Sequence, residues 1–237
     1  MKIISLKDYF SKCEYDWEKD KEEIKHICSL TKTRPDEEKT EFEFSYGMEQ
    51  TFFIKAAIEH LNASSFFEIG TGRGTASYAV SLCSKIKNIT TVDIIPFEQK
   101  CDSAINYKPA RLSNKDIFEM VEIPTKDKIE FKHVSDYSLI TALHSSCYDV
   151  CFIDGCHEDK NIIIQDFNIC YQLVKDGGYI IWDDYDPNQF EVKNVVDSII
   201  SEKGFDCELV EFRGHLFNKE KGPELGAGEV IMKIRKS

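Results

Sequence analysis

From residue 44 onward, short apolar segments alternate with amphipathic ones, and this alternation restricts the fold more than any other feature of the sequence. Strands of a parallel sheet are buried on both faces, so they read as nearly continuous apolar runs. Runs of this kind lie at 65–69, 89–95, 129–134, 148–154 and 179–184. Because segments with helical periodicity separate most of them, the sequence predicts an α/β fold whose parallel sheet is covered on both faces.

The last two strand patterns follow one another without a helix between them. They read CELVEF at 207–212 and EVIMKI at 229–234. Two strands in this arrangement indicate an antiparallel hairpin, which we expect at the edge of the sheet. Glycines at 177–178 and at 204 predict the ends of the two preceding helices, because glycine favours helix C-termini.

The first 45 residues differ from the rest in being very polar and helical in pattern. Apolar residues from Leu6 to Trp17 fall on one helical stripe. A charged segment with a proline follows at 31–40. We therefore predict a helical N-terminal cap at 1–45 and one larger domain at 46–237. The apolar stripe could also serve a homodimer.

Length and charge exclude several classes of protein. The chain has 237 residues, nine cysteines and a net charge of −12. A negative chain lacks the positive surface that neutralises phosphates, which argues against a nucleic-acid partner. No apolar run approaches the about 20 residues of a membrane span, and the N-terminus lacks the apolar core of a signal peptide. We expect a cytoplasmic protein with reduced thiols and no membrane partner.

A glycine-rich segment, FFEIGTGRGT at 66–75, follows the first apolar run. Its pattern is ExGxGxG, so the third glycine comes one residue too early for the dinucleotide fingerprint GxGxxG. Glycines let a backbone approach a ligand closely and adopt positive φ angles. Asp93 ends the next strand pattern, where a carboxylate could accept both hydroxyls of a ribose. The alternative is an ordinary strand–helix turn beside a solvated aspartate.

Over roughly residues 45–237, these features resemble the class I S-adenosylmethionine-dependent methyltransferases. The resemblance implies a Rossmann-like three-layer sandwich with a mostly parallel, seven-stranded sheet that ends in an antiparallel hairpin. It implies that the glycine turn passes under the cofactor, that Asp93 binds the ribose, and that the residues after the third strand approach the adenine. The cofactor-binding residues implied in this way are Glu68, Gly70, Thr71, Gly72, Gly74, Asp93, Ser135, Asp136, Asp154, Tyr46 and Gly47. For Tyr46 and Gly47, an ordinary helix entry is the alternative.

Acidic residues end the fourth and fifth strand patterns, in FIDGCH at 152–157 and WDDYD at 182–186. Parallel strands end along one rim of a sheet, so Asp154, Asp183 and Asp184 should converge there. Three carboxylates suit Mg²⁺, and without a cation their mutual repulsion should raise their pKa values. The residues at 183–186 could instead cap the next helix or fill a turn.

The same residues resemble the metal-dependent small-molecule O-methyltransferases of the catechol and macrolide-sugar types. The resemblance implies that Asp154, Asp183 and Asp184 hold Mg²⁺, which binds a hydroxyl of the acceptor. In the catechol type a lysine three residues after the first aspartate acts as base, and here that position is His157. The resemblance assigns catalytic roles to His157 and Asp154, although His157 could simply begin a helix. The implied acceptor is a sugar, a phenol or another natural product.

Other functions stay open at this point. A metal-independent small-molecule methyltransferase would need the glycine turn but not the acidic cluster. A nicotinamide-dependent oxidoreductase would need GxGxxG and has no use for the terminal hairpin. A non-catalytic nucleotide-binding domain would not need acidic residues at both strand ends. A methyltransferase for nucleic acid is disfavoured by the negative charge.

Overall fold

The computed structural model describes residues 1–32, 42–100, 112–135, 147–217 and 222–236. These ranges contain eight strands and seven α-helices. The strands are β1 (Lys2–Ser5), β2 (Ser65–Ile69), β3 (Asn88–Asp93), β4 (Ile129–His133), β5 (Tyr148–Ile153), β6 (Val174–Tyr185), β7 (Asp206–Glu211) and β8 (Gly228–Lys233). The helices are α1 (Leu6–Lys12), α2 (Lys21–Thr31), α3 (Glu49–His60), α4 (Thr75–Ser81), α5 (Asn114–Met120), α6 (Lys160–Leu173) and α7 (Val192–Lys203), and a 3₁₀ turn covers Lys126–Lys128.

All eight strands form one sheet in the order β1-β7-β8-β6-β5-β2-β3-β4. Neighbouring strands are parallel except that β8 is antiparallel to both β6 and β7. The predicted Rossmann-like α/β class and its terminal hairpin are confirmed. The sheet nevertheless has eight strands instead of the predicted seven.

The additional strand, β1, pairs in parallel with β7 and forms the edge of the sheet. The prediction that the hairpin itself lies at the edge is therefore wrong. The N-terminal segment, predicted as a helical cap, begins with this strand. β1 has only four residues, too few for a strand periodicity to stand out in the sequence, and its partner lies far along the chain.

Two apolar clusters cover the two faces of the sheet and give the three-layer arrangement. Adjacent residues Phe66 and Phe67 point to opposite faces, as alternation along a strand requires, and belong to different clusters. Helices α1 to α4 contribute buried side chains to the first cluster, and α6 and α7 contribute to the second. Leu6 and Tyr9 of α1 are fully buried in the same cluster as Phe52 and Phe53 of α3.

Of the two predicted helix ends, the one at Gly204 is confirmed and the one at 177–178 is wrong. α7 ends at Gly204, whose φ of +65° is the left-handed conformation expected of a terminating glycine. α6 ends earlier than predicted, at Leu173, and β6 begins at once with Val174. Gly177, with a φ of +77°, lies inside β6, where the pairing with β5 shifts register, so it bends a strand and does not end a helix.

Among the helices of the described ranges, none is both long enough and apolar enough to cross a membrane.

Candidate active site

A cavity of about 790 Å³ lies at the carboxyl ends of β2, β3, β5 and β6. Most of the residues predicted for the site line this cavity: Tyr46, Gly47, Glu68, Gly70, Thr71, Gly72, Asp93, Asp154, His157, Asp183 and Asp184. Gly74 does not line it but precedes α4 in a left-handed conformation with φ +78°. Ser135 is exposed and outside the cavity lining, where the neighbouring Val134 contributes instead. Asp136 lies outside the described residues.

The glycine turn runs between the ends of β3 and β5. The Gly70 amide donates to the carbonyl of Val92 (2.9 Å), and the Asp154 amide donates to the carbonyl of Ile69 (2.9 Å). Gly70 has a φ of +92°, and a Cβ at this position would lie 1.9 Å from the carbonyl oxygen of Asp154. Glycine is therefore required here both by backbone conformation and by the close approach of the next strand.

Asp93 is fixed by backbone amides on both sides of its carboxylate. Its Oδ2 accepts from the Gly72 amide (3.0 Å), and its Oδ1 accepts from the Ile95 amide (2.9 Å). Each carboxylate oxygen has a second lone pair, so both can still accept a further hydrogen bond. Asp93 is partly exposed at the cavity, which is the arrangement that binding of two ribose hydroxyls needs.

Glu68 lies at the inner wall of the cavity and is 1 % exposed. The Ser77 hydroxyl, in the first turns of α4, donates to its Oε2 (2.6 Å). Burial raises the pKa of Glu68 to about 7 because a buried carboxylate loses its hydration. Glu68 thus connects β2 to α4 across the glycine turn. Beside it, the hydroxyls of Thr71 and Thr91 are hydrogen-bonded at 2.7 Å.

A bulge in β6 brings two consecutive carboxylates into the cavity. In a regular strand, adjacent side chains point to opposite faces of the sheet. The pairing of β6 with β8 shifts register between Trp182 and Tyr185, and Asp184 has a φ of +52°. A positive φ is uncommon for a residue other than glycine. With this conformation Asp183 and Asp184 both line the cavity.

Among the described residues, Asp154, His157 and Asp184 form a group of potential metal ligands. One donor atom from each lies within 4.8 Å of the others. His157 Nε2 is 3.8 Å from Asp154 Oδ1, and its Nδ1 is 3.5 Å from Asp184 Oδ2. Asp183, also predicted as a ligand, accepts from Gln50 Nε2 (2.5 Å) and from the Asp184 amide (2.7 Å), and its carboxyl group is hydrogen-bonded to that of Asp154. The structure therefore brings the three predicted acidic residues together and adds His157 to them.

Burial and mutual repulsion determine the protonation of this cluster. Burial, together with the neighbouring charge of Asp183, raises the pKa of Asp154 well above its ordinary value. Burial likewise raises the pKa of Asp184 to about 7, and Asp183 adds to the shift. Burial lowers the pKa of His157, so its imidazole is neutral at pH 7 and can accept a proton. The expected rise in pKa is present for the carboxyl groups of Asp154 and Asp184.

The donor set fits a divalent cation. Carboxylate oxygens suit Mg²⁺, and an imidazole nitrogen also suits transition metals such as Mn²⁺. A further carboxyl group, on the fully buried Glu229 of β8, has its pKa raised by burial and by the charges of Asp183 and Asp184. A bound cation would offset the electrostatic repulsion among so many neighbouring carboxyl groups.

The acidic residues at 183–186 do not cap the next helix. α7 begins after Glu191. Asp186 does fill the turn, since its Oδ1 accepts from the Asn188 amide (2.7 Å). His157 likewise does not begin α6, because Asp159 is the capping residue and accepts from the Asn161 amide (2.8 Å). His157 therefore remains directed at the cavity.

Several residues of the site were not found from the sequence, foremost Arg213. This residue follows β7, lines the cavity, and is paired with Asp184 and, at 3.0 Å, with Asp186. Lys32 Nζ donates to Gln50 Oε1 (3.1 Å), so the Gln50 amide is held between Lys32 and Asp183. None of these belongs to a motif, although Arg213 lies in a glycine-rich segment, 212–228, between the last two strand patterns.

Glu49, also missed, joins the entry of α3 to the loop that carries Arg213. It is fully buried. Its Oε2 accepts from the Gly47 amide (2.8 Å), and its Oε1 accepts from the amides of Gly214 (3.2 Å) and Phe217 (3.1 Å). Because these bonds fix both segments, Glu49 holds its neighbour Gln50 and Arg213 on the same side of the cavity.

With this geometry, the fold and the glycine turn define a class I S-adenosylmethionine-dependent methyltransferase. A family model described as a methyltransferase domain matches residues 67–185, from β2 to the end of β6. The chain belongs to this methyltransferase domain family, and the resemblance to the class I S-adenosylmethionine-dependent methyltransferases is confirmed.

Solved structures of similar fold include several methyltransferases. The O-methyltransferase TomG from Streptomyces achromogenes, in complex with S-adenosylmethionine, has a TM-score of 0.59 at 13% identity, covering 89% of this chain and 90% of that one. An O-methyltransferase from Bacillus cereus, in complex with S-adenosylhomocysteine, has a TM-score of 0.56 at 16% identity, covering 97% and 96%. At such identities the likeness concerns the fold alone.

One curated relative has a detectable sequence similarity. It is the uncharacterized protein R132 of Acanthamoeba polyphaga mimivirus, 26% identical over 153 residues. The match covers 58% of this chain, and the chain spans 60% of the length of that relative.

Proposed function

We propose that the protein transfers the methyl group of S-adenosylmethionine to a hydroxyl group of a small molecule. The observation that carries this proposal is one cavity with two chemically different ends. The glycine turn and Asp93 form one end, and a neutral imidazole among carboxyl groups forms the other. The net charge of −12 supports a small-molecule acceptor over a nucleic acid.

The cofactor end supplies binding and orientation. Gly70 and Gly72 allow the cofactor to lie close to the backbone, and the two oxygens of Asp93 accept the ribose hydroxyls. Related folds contain S-adenosylmethionine in TomG and S-adenosylhomocysteine in the Bacillus cereus enzyme, which supports this cofactor. Orienting two reactants in this way can contribute about 7–11 kcal/mol to catalysis.

The acceptor end supplies a base. As the acceptor oxygen attacks the methyl carbon, the bond from that carbon to sulfur breaks and the sulfonium becomes a neutral thioether. The hydroxyl proton passes to His157, which is neutral because burial lowers its pKa. Asp184, whose Oδ2 is 3.5 Å from Nδ1, then stabilises the imidazolium.

The proposal includes a divalent cation, Mg²⁺ in the first instance, at the acceptor end. Asp154, Asp183 and Asp184 would hold it, and the imidazole of His157 beside them would act as the base. Such a cation would lower the pKa of a bound hydroxyl. Metal-independent transfer is the second candidate, and one observation favours it: Arg213 already pairs with Asp184.

The cofactor site is tested by calorimetric titration with S-adenosylhomocysteine. We expect Asp93→Asn to weaken binding about 10- to 100-fold, because hydrogen bonds to a charged group contribute about 1.5–3 kcal/mol. Asp206→Asn is the matched control, since Asp206 is exposed at the other end of the sheet. Equal binding by wild type and Asp93→Asn would contradict the proposed cofactor site.

The acceptor chemistry is tested separately, by screening sugars, phenols and other alcohols for methylation with Mg²⁺ and with excess chelator. Turnover only with Mg²⁺ would support the metal-dependent form, and turnover in chelator the metal-independent one. Methylation of none of the hydroxyl compounds but of an amine or a thiol would contradict transfer to oxygen.

A further inference from the structure

The acidic end of the cavity contains a permanent positive charge, Arg213, in direct contact with a proposed metal ligand. We propose that Arg213 is the resident counter-ion of the acidic cluster and weakens the binding of divalent cations there. This inference rests on the proposed metal site, but its test does not depend on methyl transfer. It concerns the affinity of the cluster for a cation, which family membership does not specify.

The two carboxylate oxygens of Asp184 have different partners, Arg213 and His157. Nη2 of Arg213 pairs with Oδ1 of Asp184, while Oδ2 of Asp184 faces His157 at 3.5 Å. Nη1 of Arg213 is 3.0 Å from Oδ2 of Asp186 and 3.7 Å from Oε2 of Glu224. A cation bound through Asp184 would therefore share that carboxylate with the guanidinium.

Burial of Arg213 strengthens the electrostatic effect of its charge on a nearby cation. The side chain of Arg213 is 14 % exposed, and that of Asp186 is 2 % exposed. Charges that are this buried are screened little by salt or water. A guanidinium also keeps its proton throughout the accessible pH range. Repulsion between Arg213 and an incoming divalent cation is therefore constant, unlike that from a group that can lose its charge.

The position of Arg213 is fixed by the fold. Its neighbour Gly214 and the nearby Phe217 donate backbone hydrogen bonds to the buried Glu49. The Gly214 backbone is also closely packed, since a Cβ there would lie 2.2 Å from the carbonyl oxygen of Gly222. These contacts hold the backbone next to Arg213, which keeps its guanidinium within reach of its carboxylate partners.

The test measures the dissociation constant of Mn²⁺, used alone as the probe, by following free Mn²⁺ in paramagnetic resonance titrations. The full chain is compared with Arg213→Met and with Arg213→Gln, which removes the charge but keeps amide donors for Asp184. Arg213→Lys retains the charge. Arg235→Met is the matched control, since Arg235 is exposed after β8 at the far end of the sheet.

We expect Mn²⁺ to bind about tenfold or more tightly to Arg213→Met and Arg213→Gln, because one positive charge next to the ion is removed. Arg213→Lys and Arg235→Met should bind it as the wild type does. Adding Asp184→Asn to Arg213→Gln should abolish the gain. Unchanged or weaker Mn²⁺ binding in the neutral variants would overturn the proposal.

Titration of the same proteins with S-adenosylhomocysteine separates this inference from the proposed function. Retained binding in Arg213→Gln would show that the fold is intact, so its Mn²⁺ affinity can be interpreted. Loss of S-adenosylhomocysteine binding in every protein, wild type included, would instead count against the proposed cofactor site. The comparison of Mn²⁺ affinities would still decide the role of Arg213.

Discussion

Among single residues, Glu68 combines deep burial with an ionisable group whose pKa has moved into the neutral range. Its carboxyl group is 1 % exposed and is hydrogen-bonded to the hydroxyls of Ser77 and Thr91. Its pKa of about 7, against 4.5 ordinarily, means that the folded protein binds this proton more strongly than the unfolded chain. The contribution of the protonated group to stability is complete below pH 4.5 and is lost as pH rises toward 7.

Glu68→Gln should therefore change the dependence of stability on pH. Glutamine cannot ionise but can still accept from Ser77. Relative to this variant, the wild type should lose about 3 kcal/mol of unfolding free energy between pH 4 and pH 8, at about 1.4 kcal/mol per pKa unit. Urea denaturation of both proteins at several pH values measures the difference. If the two curves stay parallel, Glu68 is ionised in the folded protein and the argument is wrong.

The sequence could reveal Glu68, Asp93 and the paired aspartates because each has a fixed position in a strand–turn pattern. Gln50 and Arg213 could not be found in this way. Each is an isolated polar residue, and Glu49 joins the entry of α3, near Gln50, to the loop after β7 that carries Arg213. Contacts of this kind depend on packing between distant segments, which local spacing does not encode.

At the scale of elements, two glycines of the glycine turn, Gly70 and Gly72, have different surroundings, so substitution by alanine should destabilise the protein to different extents. A Cβ on Gly70 would overlap the backbone of Asp154, whereas a Cβ on Gly72 would meet nothing within 4 Å. Both have positive φ angles. We expect Gly72→Ala to lower the unfolding free energy by about 1–2 kcal/mol, from backbone strain alone. Gly70→Ala should cost about 3 kcal/mol or more, because β2 and β5 must also separate.

Urea denaturation of the two alanine variants measures both costs under the same conditions. Gly177→Ala is a useful reference, because Gly177 also has a positive φ with open space around it but lies far from the cavity. Its cost should match that of Gly72→Ala. Equal costs for Gly70→Ala and Gly72→Ala would show that the end of β5 can move away without penalty, contrary to the packing described above.

The elements that could be predicted from the sequence are those with strong local signals. Strands β2, β3, β5, β7 and β8 contain buried apolar residues, and their observed limits lie close to the predicted ones. The limits of the edge strand β4 also lie close to the prediction, although only Ile129 in it is buried, whereas β6 begins at Val174, well before the predicted residue 179. The end of α6 was misplaced because glycines at 177–178 suit a bent strand as well as a helix end. The bulge at Asp184 has no local signal, since its cause is the pairing of β6 with β8.

At the scale of the whole molecule, the N-terminal segment shares both the sheet and the core with the rest of the chain. The sequence suggested a separate cap, because residues 1–45 are polar and lack the strand–helix alternation. In the structure, β1 extends the main sheet, and Leu6 of α1 is fully buried in the core cluster that includes Phe52. Pairing between residues so far apart in sequence cannot be seen in a local pattern.

We propose that the chain unfolds as one cooperative unit, and its two tryptophans allow a direct test. Trp17 packs against Phe52 and Phe217 on the N-terminal side, and Trp182 is fully buried in β6. Variants Trp17→Phe and Trp182→Phe each retain one fluorescent probe. Adding Leu6→Ala should lower the unfolding free energy reported by either probe by about 2–5 kcal/mol, the usual cost of removing a buried leucine side chain.

Ile3→Ala is the control for Leu6→Ala, because Ile3 lies on the same segment but is 58 % exposed. Its cost should be about 1 kcal/mol or less. If Leu6→Ala shifts the transition seen by Trp17 and leaves that of Trp182 unchanged, the N-terminal segment folds as a separate cap, as its sequence alone suggested. Equal shifts for both probes would mean that this segment and the methyltransferase sheet share one core, so that substitutions at α1 also change the stability of the cofactor site.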